Sequence, residues 1–352
     1  MNRQLDIAYT TLAAELLERA LDAQFDMDFD ESGAFIKVTS KGRDYWYYKP
    51  SVRDGKPDKR IYVGPVDDPE ISKRVTNFRG IKVDFQARRK IVSTLVREGR
   101  LFAPERRVGD VVEALWKAGV FRLRACLVGT IAFQTYGTVL GYRFAGAALQ
   151  TSDIDLAQFH SVSVAVEDSI PPVLDVLREV DETFGPAPAL NDALGATRFL
   201  AQGGLRVEFL TPNRGSEEYT GKPAKMPALG GAAAEPLRFL DFLIHEPVRT
   251  VLLHKGGIPV IVPDPARYAI HKLIVAARRS PGSQKDLKDL RQANQLAEAL
   301  EATGRADDLL TMLHEARTRG PAWQTELDAS LARMLALGLK SMPAILAAAS
   351  AA

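Results

Sequence analysis

Three short stretches limit what this chain can fold into: Leu127-Val128 running into Gly129-Thr130, Asp153-Ile154-Asp155 beginning 24 residues after Gly129, and Val207-Glu208-Phe209 further on. The apolar run ending in Gly-Thr reads as a strand that turns into a helix. In the second stretch two carboxylates alternate with an apolar residue. Residues i and i+2 of a strand point to one face, so Asp153 and Asp155 converge while Ile154 turns to the core. A third strand adds Glu208. The pattern predicts a small sheet with one packed face and one face that gathers acids.

Like charges that close are unfavourable without a counter-charge, which two divalent cations would supply. A Gly-Thr turn beside them can offer backbone N–H groups to a phosphate. Together these features suit two-metal phosphoryl or nucleotidyl transfer. An Asp-x-Asp pattern alone says little, because Asp26-Met27-Asp28-Phe29-Asp30 repeats it. That run fails as a calcium loop: its sixth position is Glu31 in place of glycine and its twelfth is Lys37 in place of glutamate. Asp26, Asp28 and Asp30 read as the solvated end of a helix or the start of an edge strand.

At 352 residues the chain has room for two or three domains. A net charge of only +2 requires any nucleic-acid affinity to come from a local patch. One cysteine, Cys126, excludes an intramolecular disulfide and reads as a small core residue. The first residues lack a basic segment followed by an apolar core, and no run of 18 apolar residues occurs, so the expectation is a soluble cytoplasmic protein without a membrane span.

Along the chain, residues 4–23 carry a helical apolar period. Three strands are expected at 35–38, 45–48 and 60–63, with Lys41-Gly42 and Asp54-Gly55 as turns. Helices follow at 70–99 and 107–118. Then come a strand at 121–128, a helix from 130, a strand at 153–158, and a helix after Pro171-Pro172. Hairpins are expected at 197–211 and 248–262, separated by a mobile loop at 215–237. Asp264-Pro265 begins the helical remainder. The expected architecture is therefore α/β (α+β) in three parts: an N-terminal α+β accessory module (1–105), a mixed-sheet catalytic palm (106–215), and a mobile loop, hairpin and helical C-terminal domain (216–352).

Gly129-Thr130, Asp153-Ile154-Asp155 and Glu208 resemble the signature of the DNA polymerase β-type nucleotidyltransferase superfamily, and the chain is similar to its bacterial nucleotidyltransferase-fold members of largely unassigned substrate. The likeness covers about residues 120–215 and extends more weakly to about 295. Threonine stands where the family usually has a second Gly or Ser. The interval from Gly129 to Asp153 is longer than in most members, which makes 137–150 an insertion or a lengthened connection. The resemblance implies that Asp153 and Asp155 hold Mg2+ or Mn2+ with a nucleoside triphosphate, that Glu208 joins them as the third catalytic ligand, and that Gly129 and Thr130 bind the phosphates.

Downstream, Pro265–Lys272, Arg278-Arg279 and Lys285-Asp286-Leu287-Lys288-Asp289-Leu290 resemble the helical segment after the palm in nucleotidyltransferase toxins of bacterial abortive-infection systems. That likeness implies that Lys272 contacts the triphosphate and that Asp286 braces the site or orients a basic residue. The plain alternative is a set of solvated helix charges. Arg198 and Arg206 flank Glu208 and could also reach phosphates. Histidines 160, 245, 254, 271 and 314 show no zinc spacing, and His271 reads as structural. Walker A, Gly-x-Ser-x-Gly and dinucleotide-binding patterns are absent.

In the N-terminal module, Lys37, Lys41, Arg43, Lys49, Arg53, Lys56, Lys59 and Arg60 interleave with Tyr45, Trp46, Tyr47, Tyr48 and Tyr62. Cations beside aromatic rings make a footprint for RNA, unless the rings form a small core. The favoured acceptor is thus an RNA 3′ end, tRNA among them. The alternative is nucleotidylation of a protein or small molecule, in a toxin or defence setting with a protein partner or antitoxin.

Overall fold

The computed structural model describes residues 2–28, 33–50, 60–78, 85–144, 151–188, 195–213, 222–280 and 282–351. Arg53, Asp54-Gly55, Lys56 and Lys59, along with Asp30-Glu31, part of the 137–150 segment and part of the 215–237 loop, lie outside those residues.

The palm sheet is built around Asp153–Ala157, because its alternation leaves Ile154 and Leu156 fully buried beneath the two aspartates. Cys126–Val128 pairs with it antiparallel and Arg206–Pro212 pairs with it parallel. Beyond Arg206–Pro212 lie Ala233–Leu237 (parallel) and Arg198–Leu200 (antiparallel). The mixed α/β expectation holds, with two corrections. Residues 121–125 form a turn, not a strand: Ala125 N–H bonds back to the Val120 carbonyl and Arg124 takes φ +66°. Their apolar side chains are buried in the turn, and periodicity cannot tell a buried turn from a buried strand. The expected loop at 215–237 ends in a true strand, Ala233–Leu237, whose Ala-Ala-Glu-Pro-Leu carries little β preference of its own.

The helix Gly129–Leu140 leaves the sheet directly from Val128. Pro265–Ala277 and Gln284–Ala302 follow as an antiparallel pair and form the main contact of the helical half, with Ala306–Thr318 and Pro321–Ala336 packed behind. Asp264 caps the first of these, accepting from the N–H groups of Ala266 (2.8 Å) and Arg267 (3.2 Å), with Pro265 in the first turn as the sequence predicts.

At the N-terminus, Ile7–Asp28 packs with Phe85–Arg97 and the Val248–Val262 hairpin through Leu16, Leu95 and Val251. The strands Ala34–Ser40, Arg43–Lys49 and Ile61–Pro65 form the expected antiparallel sheet. Its rings are largely internal. Tyr47 and Tyr62 join the main core, while Tyr48 packs with Phe35 and Ile71 on the other face. Trp46 is half-buried and its indole N–H donates to Ser72 Oγ at 2.9 Å.

Candidate active site

Strand register does the first work of assembly. Asp155 sits between Val128 on one side and Glu208 on the other, and Asp153 lies beside Arg206. In-register neighbours share a face, so Asp153, Asp155 and Glu208 are brought to one face of the sheet. Arg198, opposite Glu208 on the next strand, closes the row.

The three acids are not equivalent. Arg206 Nη2 lies 2.7 Å from Asp153 Oδ2, and Arg198 Nε lies 3.2 Å from Glu208 Oε1. Asp155 has no such arginine among the described residues. Burial, then the Glu208 and Asp153 charges, push its pKa up to about 6, against a smaller downward pull from Lys272 and Arg206. Burial also raises Glu208; Arg198 and Arg206 oppose this, while Glu235 and Asp153 add to it. Glu235, on the Ala233–Leu237 strand, is a fourth acid near the site that the sequence did not single out.

Gly129 is where the turn becomes indispensable. Its φ is +68°, and a Cβ there would lie 2.4 Å from Asp155 Oδ2. Only glycine lets the backbone approach that carboxylate in this conformation. Val128 gives the following helix no side-chain cap, and the half-buried Thr130 hydroxyl makes no hydrogen bond among the described residues. The start of the 12-residue helix thus keeps N–H donors and a hydroxyl beside the acids.

The Pro265–Ala277 helix fixes this turn from behind. The Tyr268 hydroxyl donates to the Gly129 carbonyl at 2.9 Å, with the Gln292 side-chain amide 3.2 Å away. One helical turn on, Lys272 reaches across the Tyr268 ring at 5.1 Å and donates to Asp289 Oδ1 at 2.6 Å. Arg279 Nε holds the other Asp289 oxygen at 2.7 Å. Lys272 is close enough to Asp155 to stabilise its charged form. Asp286 has different partners. It is fully buried, accepting from the Gly282 N–H and pairing with Arg333, which also donates to the Ala276 carbonyl. It therefore ties the start of its own helix to Arg333 of the Pro321–Ala336 helix, while Asp289 pairs with Lys272.

Lys288 adds a second ammonium, half-buried and lowered in pKa by burial and by Lys272, with Asp289 and Asp153 acting in the other direction. His271 is buried and held neutral, its pKa lowered to about 3 by burial and then by Lys272, in keeping with a structural role.

The acidic face fits a divalent cation on two observations. Burial and the neighbouring Glu208 and Asp153 charges disfavour the Asp155 carboxylate, which a cation would relieve, and the Gly129 backbone makes room for that carboxylate. Elsewhere among the described residues, Asp110, Glu113 and His254 bring three ligand atoms within 4.8 Å of one another. There Lys255 Nζ already lies 2.7 Å from Asp110 and 2.5 Å from Glu113, supplying the positive charge internally.

Three acids on one sheet face, a glycine turn opening a helix and a lysine on a following helix are the arrangement expected of a nucleotidyl-transfer site. Residues 106–318 match the family model described as nucleotidyltransferase, which is more than half of the chain, and the protein belongs to that family. It is also similar to the crystal structure of an antigenic nucleotidyltransferase-like protein from Paracoccidioides brasiliensis. The identity is 16%, over 64% of this chain and 93% of that one, with a TM-score of 0.31. The curated proteins compared with it give no match. No helix among the described residues is long and apolar enough to cross a membrane.

Proposed function

We propose that this nucleotidyltransferase moves a nucleoside monophosphate from a nucleoside triphosphate to an acceptor hydroxyl, with pyrophosphate leaving. The observation that carries this reading is the convergence of Asp153, Asp155 and Glu208 on one sheet face beside Gly129. Asp153, Asp155 and Glu208 would hold Mg2+ or Mn2+, which when bound neutralises triphosphate charge and eases ionisation of the acceptor hydroxyl. Gly129 N–H and Thr130 donate to the β- and γ-phosphates. Lys272, aimed by Asp289 and Tyr268, adds positive charge where negative charge accumulates on the leaving group. Asp286 supports the site through Arg333. Arg206 and Arg198 occupy two of the acids in the free protein and are released toward phosphate oxygens when the ligands arrive. No covalent intermediate is required.

The acceptor we favour is an RNA 3′ end, tRNA included. Support comes from the exposed cations Lys37, Arg43, Lys49 and Arg60 on the N-terminal sheet. One observation favours the second reading, a protein or small-molecule acceptor, including action as a toxin or defence enzyme with an antitoxin partner: Tyr47, Tyr48 and Tyr62 are buried and unavailable for base stacking. The test is incubation with each α-labelled nucleoside triphosphate, total RNA, total protein and small-molecule extract. Label in RNA supports the first acceptor. Label confined to protein or small molecules supports the second. No transfer with any triphosphate contradicts both.

A further inference from the structure

Beside the palm, the N-terminal sheet, the 121–125 turn and the Val248–Val262 hairpin line a cleft of about 960 Å3. Its charges do not cancel. Arg122 is committed to Asp168 at 2.5 Å and to the Tyr62 carbonyl at 2.7 Å. Arg249 pairs with Asp68 at 2.5 Å, and the buried Arg74 pairs with Glu18 at 2.8 Å and Glu70 at 3.0 Å. Those pairings use the cleft's acids Glu18, Asp68 and Glu70, leaving Glu246, which faces Arg267 at 3.6 Å. Arg43 and Arg124 remain. Both are exposed and line the cleft, and neither has a carboxylate partner among the described residues; the Arg124 side chain bonds to the Tyr62 side chain.

Arg124 holds φ +66°, one of several non-glycine residues in the left-handed region, so glycine can replace it there without steric cost. Two guanidiniums without carboxylates among the described residues, lining a cleft that also carries the half-buried Phe159 ring, suit phosphates with a base beside them. The cleft also adjoins the site's own strand: Cys126 lines it, two residues before Val128, the neighbour of Asp155.

We infer that this cleft binds the sugar–phosphate backbone of a single-stranded ribonucleotide acceptor, with Arg43 and Arg124 as its phosphate contacts. The inference rests on the RNA-acceptor reading above and extends it to a place on the molecule. The test titrates a fluorescent oligoribonucleotide into the full chain at several salt concentrations, for the parent, Arg43→Ala, Arg124→Gly and the double variant. Glycine at 124 suits the observed φ, and thermal melting of each variant confirms an intact fold. Each lost phosphate contact flattens the slope of log affinity against log salt by about 0.7, so the double variant should be flatter by about 1.4. Titration with magnesium–ATP should be unchanged, because neither arginine belongs to the palm site. An Asp155→Asn protein should bind the oligomer as the parent does, which separates the cleft from the chemistry. A parental slope retained by the double variant overturns the inference. So does competition by AMP as strong as by the oligomer, which would mark a mononucleotide pocket. A parent that fails to bind RNA while still labelling protein overturns it and leaves the transfer chemistry standing.

Discussion

Asp155 carries the chemical tension of the site. Its carboxyl titrates near 6, above an unfolded value near 3.9, so the fold disfavours its charged form. The favourable contribution is present below about pH 4 and is lost as pH rises through about 6. In the absence of divalent ions, the parent should therefore melt at a lower temperature at pH 8 than at pH 5 by more than Asp155→Asn does. That variant should gain on the order of 1–3 kcal/mol at pH 8. A substitution that stabilises the fold and removes activity together is expected of a group held against its own preference for function. Denaturant titrations of both proteins at the two pH values read this out, and an unstabilised Asp155→Asn at pH 8 would contradict it. Gly129→Ala should also lose transfer but, unlike Asp155→Asn, should cost stability, about 1–3 kcal/mol from the left-handed backbone alone. The new Cβ would also displace the Asp155 carboxylate, 2.4 Å away. A Gly129→Ala protein with parental activity would show that the turn does not govern the acids.

Between elements, the Pro265–Ala277 and Gln284–Ala302 helices aim one lysine. Asp289 holds Lys272 and Arg279 together, so Asp289→Asn frees Lys272 without removing its charge. Lys272→Ala should weaken binding of a non-hydrolysable triphosphate about tenfold or more, through loss of a charge-assisted contact. Asp289→Asn should weaken it less. Calorimetric titration distinguishes them, and equal affinity in the parent and Lys272→Ala would return Lys272 to an ordinary ion pair. How much of this was readable in the sequence depends on the range of each interaction. Asp153, Asp155 and Glu208 were legible because strand alternation is local and the register between adjacent strands brings like to like. Lys272 was legible as a position on a helix face. Its partner was not: Asp286 and Asp289 are three residues apart on one helix, and the packing of that helix against Pro265–Ala277 decides which of them meets Lys272. The 121–125 turn was hidden because an apolar run buried in a turn looks like a buried strand. The strand at Ala233–Leu237 was hidden because its pairing with Arg206–Pro212, not its own composition, makes it one.

For the molecule as a whole, the N-terminal segment is tied into the rest. Arg3–Gln4 pairs with Tyr142–Arg143, and Asn2 and Tyr142 both donate to Glu298 in the helical half, at 2.8 and 3.1 Å. The aromatic sheet likewise spends most of its rings on packing. Trp46→Ala should accordingly destabilise the protein, by about 1–3 kcal/mol for a half-buried indole that also loses its bond to Ser72. Melting and oligoribonucleotide binding measured together separate this from a stacking role, because a stacking indole would lower RNA affinity at unchanged stability. The molecule then divides its labour. On the reading proposed above, the acids and the glycine turn would hold the triphosphate, and the arginines of the cleft would receive the acceptor.

The central claim is that Asp153, Asp155 and Glu208 together perform nucleotidyl transfer. The most direct measurement supplies triphosphate labelled at the α-phosphate or at the γ-phosphate, with magnesium or manganese, to the parent and to Asp153→Asn, Asp155→Asn and Glu208→Gln. The prediction is that the α-label becomes bound to acceptor and the γ-label leaves in pyrophosphate. Both asparagine variants should be inactive and Glu208→Gln severely reduced, with all three folded. Transfer undiminished in both asparagine variants, or γ-label retained on the acceptor, would contradict it.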